Sequence, residues 1–104
     1  MQPFCVMTTT DSKDQANAIA RGLVERRLAA CVQIVGPIQS TYWWNNKIEN
    51  GEEWLCLAKT VEEKYETLEQ AIRQLHSYDE PEIIALPIVA GSKGYLDWLR
   101  GELV

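Results

Sequence analysis

Apolar residues recur along the chain with two different spacings, and these spacings predict its secondary structure. A β-rich apolar run over 4–9 predicts the first strand. Ser12 stands three residues before Gln15, which is the spacing of a capping box at a helix start. Apolar residues then follow at helical spacing, at Ala16, Ile19, Ala20, Leu23, Val24 and Leu28. We therefore predict a first helix that ends near Arg26-Arg27.

The middle of the chain predicts two long strands joined as a hairpin. Apolar and β-branched residues dominate a long run that is interrupted only at Gly36-Pro37, where we predict a bend or bulge. Either Asn45-Asn46 or Asn50-Gly51 could form the turn. A turn at Asn50-Gly51 sets two glutamates opposite each other, whereas a turn at Asn45-Asn46 pairs Trp43 with Ile48. We place the tip at Asn45-Asn46 and a bulge at Asn50-Gly51.

The third strand continues to Lys59, and a second amphipathic helix follows it. Thr60 and Glu63 again have capping-box spacing. The apolar stripe of this helix consists of Tyr65, Leu68, Ala71, Ile72 and Leu75. The glutamates beside the stripe are typical of a solvated helix face rather than of an acidic metal site. A polar turn over 76–81 leads into a fourth strand over 82–89, and a short terminal helix lies within 92–103.

The element order is β-α-β-β-α-β plus a short C-terminal helix, which predicts an α+β fold of the ferredoxin-like split βαβ type. We expect one domain over 1–104, with an antiparallel-dominated sheet in the strand order 4-1-3-2. Pro87 then lies on an edge strand, where its missing N–H is tolerated. The other edge carries the cluster Tyr42-Trp43-Trp44, and exposed edges favour self-association. We expect these aromatics to be subunit contacts rather than a ligand-stacking platform.

The predicted topology also suggests a candidate site. We expect strands one and three to run parallel to each other, with strands two and four antiparallel to them. That arrangement gathers one set of side chains at one end of the sheet: Thr8–Thr10, Cys31, Lys59, His76, Tyr78 and Glu82. For His76, the only histidine, the alternatives are metal ligation, a loop-to-strand hydrogen bond and acid–base chemistry. Lys59 favours an anionic ligand beside the next helix start, unless it forms an ion pair with Glu82.

Composition narrows the classes of function. The chain has 104 residues and a net charge of -5 without a Lys/Arg stripe, so we expect no nucleic-acid partner. No apolar run approaches the ~20 residues of a membrane span and no signal peptide is evident, so we expect a cytoplasmic protein without membrane contact. The three cysteines are widely spaced, which favours buried reduced thiols over a disulfide or zinc site. No phosphate loop or catalytic motif is present, and we expect neither enzymatic activity nor a required cofactor.

Several stretches carry a family resemblance that spans nearly the whole chain. They are Arg27-Leu-Ala-Ala-Cys31-Val-Gln-Ile34, Ser40-Thr-Tyr42-Trp-Trp44, Lys59-Thr60, His76-Ser-Tyr78, Pro81-Glu-Ile-Ile-Ala-Leu-Pro87-Ile and Tyr95-Leu-Asp-Trp98-Leu. In this order they resemble the CutA family of divalent-cation tolerance proteins. The resemblance implies a ferredoxin-like protomer in a homotrimer that is held through the long hairpins and edge strands. Its architecture would be similar to that of PII signalling proteins.

The resemblance further implies a role in tolerance of, or response to, divalent metal ions, copper in particular. Some members carry a His-His-Pro-Tyr turn and a Cys at the end of the first strand, a combination associated with copper binding. This sequence has Leu75-His76-Ser77-Tyr78 and Thr8 at those positions. Imidazole and thiolate are the ligands that favour copper or zinc. His76 is then the remaining metal ligand, with Cys31 or Glu82 as the candidates to complete a weak site for Cu(II) or another divalent cation.

Three hypotheses of different class follow. The first is a trimer that acts in metal tolerance or response. The second is a PII-like module that binds a small anionic ligand through Lys59, Tyr78 and Glu82 in clefts between subunits. The third is a trimeric scaffold that holds partner proteins.

Overall fold

The computed structural model describes residues 1–104 and contains four strands and three helices in the predicted order. The strands are β1 (Pro3–Thr10), β2 (Cys31–Trp44), β3 (Lys47–Val61) and β4 (Ile84–Pro87). The helices are α1 (Lys13–Glu25), α2 (Tyr65–Leu75) and α3 (Lys93–Glu102). The sheet has the order β2-β3-β1-β4, which confirms the predicted α+β architecture and places Pro87 on an edge.

Both ends of α1 are closed by local hydrogen bonds. Ser12 accepts a bond from the Gln15 backbone N–H at 3.0 Å, so the predicted N-cap forms. The Gln15 side chain does not complete the capping box, because its amide donates to the Leu75 carbonyl of α2 at 2.6 Å. At the other end, Leu28 N–H bonds to the Leu23 carbonyl at 2.9 Å, the long bond of a Schellman motif. Gln15 thus takes part in the N-terminal cap of α1 through its backbone and joins α1 to α2 through its side chain.

Arg27 follows the C-cap residue Arg26 at the end of α1 and adopts a positive φ of 54°. Glycine is the usual residue at this position, because an L side chain is strained there. The Arg27 guanidinium donates to the carbonyl oxygen of Glu102 at 2.8 Å and to its carboxylate at 3.0 Å. The side chain that strains the turn therefore ties the end of α1 to the end of α3.

The start of α2 differs from the prediction. Thr60 is not a helix cap but a fully buried residue of β3, and its hydroxyl donates to the Leu28 carbonyl at 2.7 Å. A 3-10 turn over Glu62–Lys64 separates the strand from α2, which begins without a side-chain cap. Capping-box spacing alone could not distinguish a helix start from a buried strand hydroxyl. The fourth strand is also shorter than predicted and covers only Ile84–Pro87.

The hairpin tip lies at Asn45-Asn46, as predicted. Both asparagines adopt positive φ angles, 50° and 62°, which match the tight turn that best suits twisted strands. Trp43 pairs with Ile48 next to the tip. The predicted bulge at Asn50-Gly51 is wrong, since both residues continue the regular ladder of β2 and β3.

The one irregularity of the hairpin lies at Gly36-Pro37, where a bend or bulge was also predicted. Val35 pairs with Leu55 and Ile38 pairs with Glu53. The two residues Gly36 and Pro37 therefore lie opposite the single residue Trp54, which is the arrangement of a bulge. A Cβ atom on Gly36 would lie only 2.8 Å from Cγ of the Trp54 ring. Glycine is required here because the indole lies directly against the backbone.

The two faces of the sheet are covered differently. Helices α1 and α2 cover one face, and the main core lies between them and the sheet. Its fully buried residues include Val6, Ile19, Leu23, Leu68 and Ile72. On the other face, α3 covers only one end through a small cluster of Val61, Leu99 and Leu103.

The rest of that second face is apolar and uncovered within the single chain. Residues at alternate positions point to the same face of a strand, so the ladder pairs identify the members of this surface. We call it the open sheet face, and it consists of Met7, Val35, Leu55, Leu57, Ile84 and Leu86. Val35, Ile84 and Leu86 are each about half exposed.

The predicted direction of the first and third strands is wrong. β1 runs antiparallel to β3, with Pro3 opposite Val61 and Thr10 opposite Trp54. β2 is also antiparallel to β3, so β1 and β2 are the parallel pair of the split βαβ unit. The error affects the site prediction, because it moves Lys59 to the end of the sheet opposite Thr10.

Two buried threonines on the helix-covered face offer a matched test of hydrogen bonding. The Thr8 hydroxyl has no partner, whereas the Thr60 hydroxyl bonds to a carbonyl. We expect Thr8→Val to raise the free energy of unfolding by about 1 kcal/mol and Thr60→Val to lower it by about 1–2 kcal/mol. Denaturant unfolding at one protomer concentration measures both changes. A shift of the same sign for both variants would contradict the assigned bonding.

Candidate functional site

His76 lies directly after α2 and is only 9% exposed. Its Nε2 lies 2.8 Å from the Thr9 carbonyl oxygen of β1, and the Tyr78 backbone N–H donates to its Nδ1 at 3.0 Å. A backbone N–H can only donate, so Nδ1 carries the lone pair and the ring hydrogen is on Nε2. Both ring nitrogens are therefore engaged, and the loop-to-strand hydrogen bond considered for His76 is present.

Tyr78 extends this network to the long hairpin. Its hydroxyl donates to the Glu53 carboxylate at 3.0 Å, and its ring lies 4.7 Å from the imidazole of His76, centroid to centroid. Partial burial is the main reason that the pKa of Tyr78 is raised well above its usual range, and the Glu53 carboxylate raises it further. Tyr78 therefore acts as a neutral hydrogen-bond donor. Together, His76, Tyr78, Glu53 and the Thr9 carbonyl form what we call the His76 network.

The two positions that differ from copper-associated family members are both occupied by packed side chains. Thr8 is 2% exposed on the helix-covered face of β1. Leu75 packs against the main core, and its side chain lies next to Gly22 of α1. Neither side chain carries an imidazole or thiolate, so the two positions add no soft ligand to the His76 network.

Cys31 and Lys59 lie at the other end of the sheet. Lys59 sits between Cys5 and Cys31 on one rung of the ladder, and its ammonium donates to the Gln33 side chain at 2.7 Å. The alternative ion pair with Glu82 is absent. The Lys59 side chain is therefore held by a neutral amide.

Cys31 contacts the terminal helix. Its Sγ lies 3.5 Å from the hydroxyl of Tyr95, and this contact together with partial burial raises the pKa of Tyr95 to about 12. The three cysteines are free, and burial raises the pKa of Cys56 to about 11. Cys56 matches the predicted buried thiol, whereas Cys5 and Cys31 are only partly buried.

The predicted meeting of these residues within one chain is wrong. Glu53, which binds Tyr78, is six residues from Lys59 along β3, a distance of about 20 Å in an extended strand. His76 and Tyr78 lie near the Glu53 end, while Cys31 lies beside Lys59. Glu82 is exposed in the loop before β4 and makes no side-chain hydrogen bond or ion pair. A ligand-binding role for each of these residues stays a prediction.

The aromatic cluster of the hairpin is exposed in the single chain. Trp43 is 72% exposed and Trp44 is 63% exposed, and Tyr42 is nearly half exposed. This part of the hairpin has no helix against it and no third strand beside it. The surface is consistent with the predicted subunit contact, which stays a prediction.

Comparison with known proteins places the chain in a family. A family model described as CutA1 divalent ion tolerance protein matches residues 4–102. The chain belongs to the CutA1 family. A relative from Thermus thermophilus, named Divalent-cation tolerance protein CutA, is 45% identical over 95 residues, which are 91% of this chain and 92% of that protein. The predicted family is therefore confirmed.

Other CutA1 relatives support the fold and differ in length. A solved structure of the divalent cation tolerance protein (Cut A1) from Thermus thermophilus matches with a TM-score of 0.95 at 42% identity, covering 98% of this chain and 99% of that one. Protein CutA 1, chloroplastic, from rice is 40% identical over 97 residues, which are 93% of this chain but only 55% of that protein. No helix of this family member has the length and apolar composition that crossing a membrane requires.

Sequence reasoning missed several groups that complete the two ends of this CutA1 sheet. At one end these are Glu53 and the Thr9 carbonyl, and at the other they are Gln33 and Tyr95. The correct direction of β1 relative to β3 would have revealed Glu53, because it sets Thr10 opposite Trp54. Gln33 follows from the antiparallel pairing of β2 with β3, which was predicted. Within one chain no group of three or more His, Cys, Asp or Glu side chains is arranged to hold a metal ion.

Proposed function

We propose that this protein acts in the tolerance of divalent cations, copper in particular. The observation that carries the proposal is the match of residues 4–102 to the CutA1 family. The relative from Thermus thermophilus is named as a tolerance protein rather than as an enzyme, which agrees with a protein that does not catalyse a reaction. The cytoplasmic location stays a prediction from composition, since one relative is named as chloroplastic.

The proposed form of the active protein is a homotrimer. The open sheet face supports self-association, because a half-exposed apolar surface of this kind is costly for a separate chain in water. The exposed tryptophans of the hairpin supply a second apolar surface. The number of subunits comes from the family resemblance. In this arrangement Tyr42, Trp43 and Trp44 contact neighbouring subunits.

Direct metal binding would be weak and would use His76. Metal coordination needs a free imidazole lone pair, and the lone pair on Nδ1 is occupied by the Tyr78 N–H. Cu(II) would therefore have to displace this bond before binding. Cys31 is at the other end of the same chain, so it could complete such a site only from another subunit. Glu82 is the candidate second ligand at the same end of the sheet as His76.

The experiment that tests the proposal has two readouts. Calorimetric titration with Cu(II) is expected to give weak binding that His76→Gln abolishes, because glutamine has no imidazole lone pair. The control is Glu25→Gln, which changes an exposed carboxylate of α1 outside the candidate ligands and is expected to leave the heat of Cu(II) binding unchanged. A loss of binding heat in Cys31→Ser would show that the thiol of another subunit completes the site. Growth of the host in elevated Cu(II) is expected to fall when the gene is deleted. Unchanged growth would refute the proposed function, whereas absence of heat would refute only direct binding.

The alternative function, PII-like binding of a small anion, would require a site that is shared between subunits. Lys59 and Tyr78 of one chain are too far apart to hold one small anion, so the two residues would have to come from different subunits. A thermal shift with anionic metabolites that Lys59→Ala removes and His76→Gln retains would favour this alternative. A scaffold for partner proteins predicts neither metal nor anion binding.

A further inference from the structure

A groove on the helix layer is separate from both ends of the sheet. It has a volume of about 250 Å³ and lies between the end of α1 and one side of α2. The residues that line it are Arg26, Leu28, Thr67, Gln70, Ala71 and Gln74. Leu28 and Ala71 belong to the core on the helix side, so the groove faces away from the open sheet face. It remains accessible when that face is covered.

Arg26 differs from the other arginines of the chain. The other four, Arg21, Arg27, Arg73 and Arg100, each lie within salt-bridge distance of a carboxylate. Arg26 has no carboxylate partner and no side-chain hydrogen bond. A guanidinium offers five N–H donors in a planar fork that matches a carboxylate. The groove therefore contains a complete and unused anion-binding group.

The opposite wall of the groove is polar and also unengaged. Thr67, Gln70 and Gln74 lie on one side of α2 at helical spacing, and none of them makes a side-chain hydrogen bond within the chain. Between the two walls, the buried side chains of Leu28 and Ala71 form an apolar floor. The groove thus combines one cation, neutral donors and acceptors, and a surface suited to an aliphatic chain.

We propose that this groove binds a small monocarboxylate with a short aliphatic chain. The carboxylate would pair with Arg26, and the aliphatic part would cover Leu28 and Ala71. A dianion fits less well, because Arg26 is the single cation of the lining and caps the C-terminal, negative end of the α1 dipole. The volume is below the range of about 300–1,000 Å³ of typical ligand pockets, which also favours a small ligand.

Titration of the isotope-labelled protein with butyrate, followed by NMR, tests the proposal. Saturable shifts are expected at the backbone amides of Leu28, Gln70 and Gln74. Arg26→Gln is expected to weaken binding about tenfold or more, since a charged hydrogen bond is lost. Arg26→Lys keeps the charge but not the fork, and an intermediate affinity is expected. Acetate is expected to bind several-fold more weakly than butyrate, because it leaves the apolar floor uncovered.

The matched control is Arg73→Gln, which removes an arginine from α2 that is already paired with carboxylates. Its butyrate affinity is expected to equal that of the parent protein. Equal weakening by Arg26→Gln and Arg73→Gln would show a general charge effect and overturn the proposal. Shifts that do not saturate, or shifts outside the groove, would also overturn it. Arg26 is exposed, so none of these variants should impair folding.

Discussion

Replacing Leu57 with lysine is expected to convert the proposed homotrimer into separate chains. Leu57 lies at the centre of the open sheet face, between Met7 of β1 and Gln33 of β2. Assembly through this face would bury an unpaired ammonium in each subunit, at a cost of several kcal/mol. We expect the assembly to weaken by ~100-fold or more. Light scattering should show the mass fall from three times 11.9 kDa to that of one chain.

The matched control is Val24→Lys, which places the same charge on an exposed apolar residue of α1. Val24 lies on the helix layer, so the control should keep the mass of the parent protein. A parent protein with the mass of one chain would refute the proposed homotrimer. A Leu57→Lys protein that keeps the full mass would show instead that the subunits meet through the hairpins alone.

Replacing His76 with alanine is expected to lower the free energy of unfolding by about 2–4 kcal/mol. The substitution leaves the Thr9 carbonyl and the Tyr78 N–H without partners in a buried site. An unsatisfied buried group costs about 1–3 kcal/mol, and the lost ring leaves a cavity in addition. Denaturant unfolding at a fixed protomer concentration measures the loss, since assembly links stability to concentration.

Two isosteric variants separate the two hydrogen bonds of His76. His76→Gln can still donate to the Thr9 carbonyl, and His76→Asn can still accept from the Tyr78 N–H. Each variant keeps one hydrogen bond that His76→Ala loses. The free energy of unfolding of each is therefore expected to be about 1 kcal/mol higher than that of His76→Ala. If alanine is as stable as either variant, the ring nitrogens do not support the fold, and the case for a metal-accessible His76 becomes stronger.

The sequence was sufficient to predict the order of elements, the sheet order and the hairpin tip. The element order and the hairpin tip depend on local signals, such as the alternation that pairs Trp43 with Ile48 and the two asparagines that tolerate positive φ. The sheet order follows from the split βαβ topology that the element order indicates. The start of α2 could not be predicted in the same way. The side chain of Thr60 could cap a helix or bond to a distant carbonyl, and only the packing of Leu28 decides which occurs.

The candidate site was predicted less well than the fold, because it depended on strand direction. Because β1 runs antiparallel to β3, Thr10 and Lys59 lie towards opposite ends of the sheet rather than at the same end. Loop residues next to each other in the sequence were more reliable, since His76 and Tyr78 do share a network. Thr9 is 67 positions from its partner His76, and Glu53 is 25 positions from its partner Tyr78. No local sequence pattern marks either of these distant partners.

The long hairpin provides a local reporter of assembly. Beyond Glu53, β2 and β3 pair only with each other, and an isolated two-stranded ribbon has little stability in water. In the proposed homotrimer its order would depend on neighbouring subunits, whereas the core between α1, α2 and the sheet belongs to one chain. Hydrogen exchange at the backbone amides of Tyr42 and Trp44 should then follow subunit dissociation, while exchange at Val6 follows unfolding of the chain.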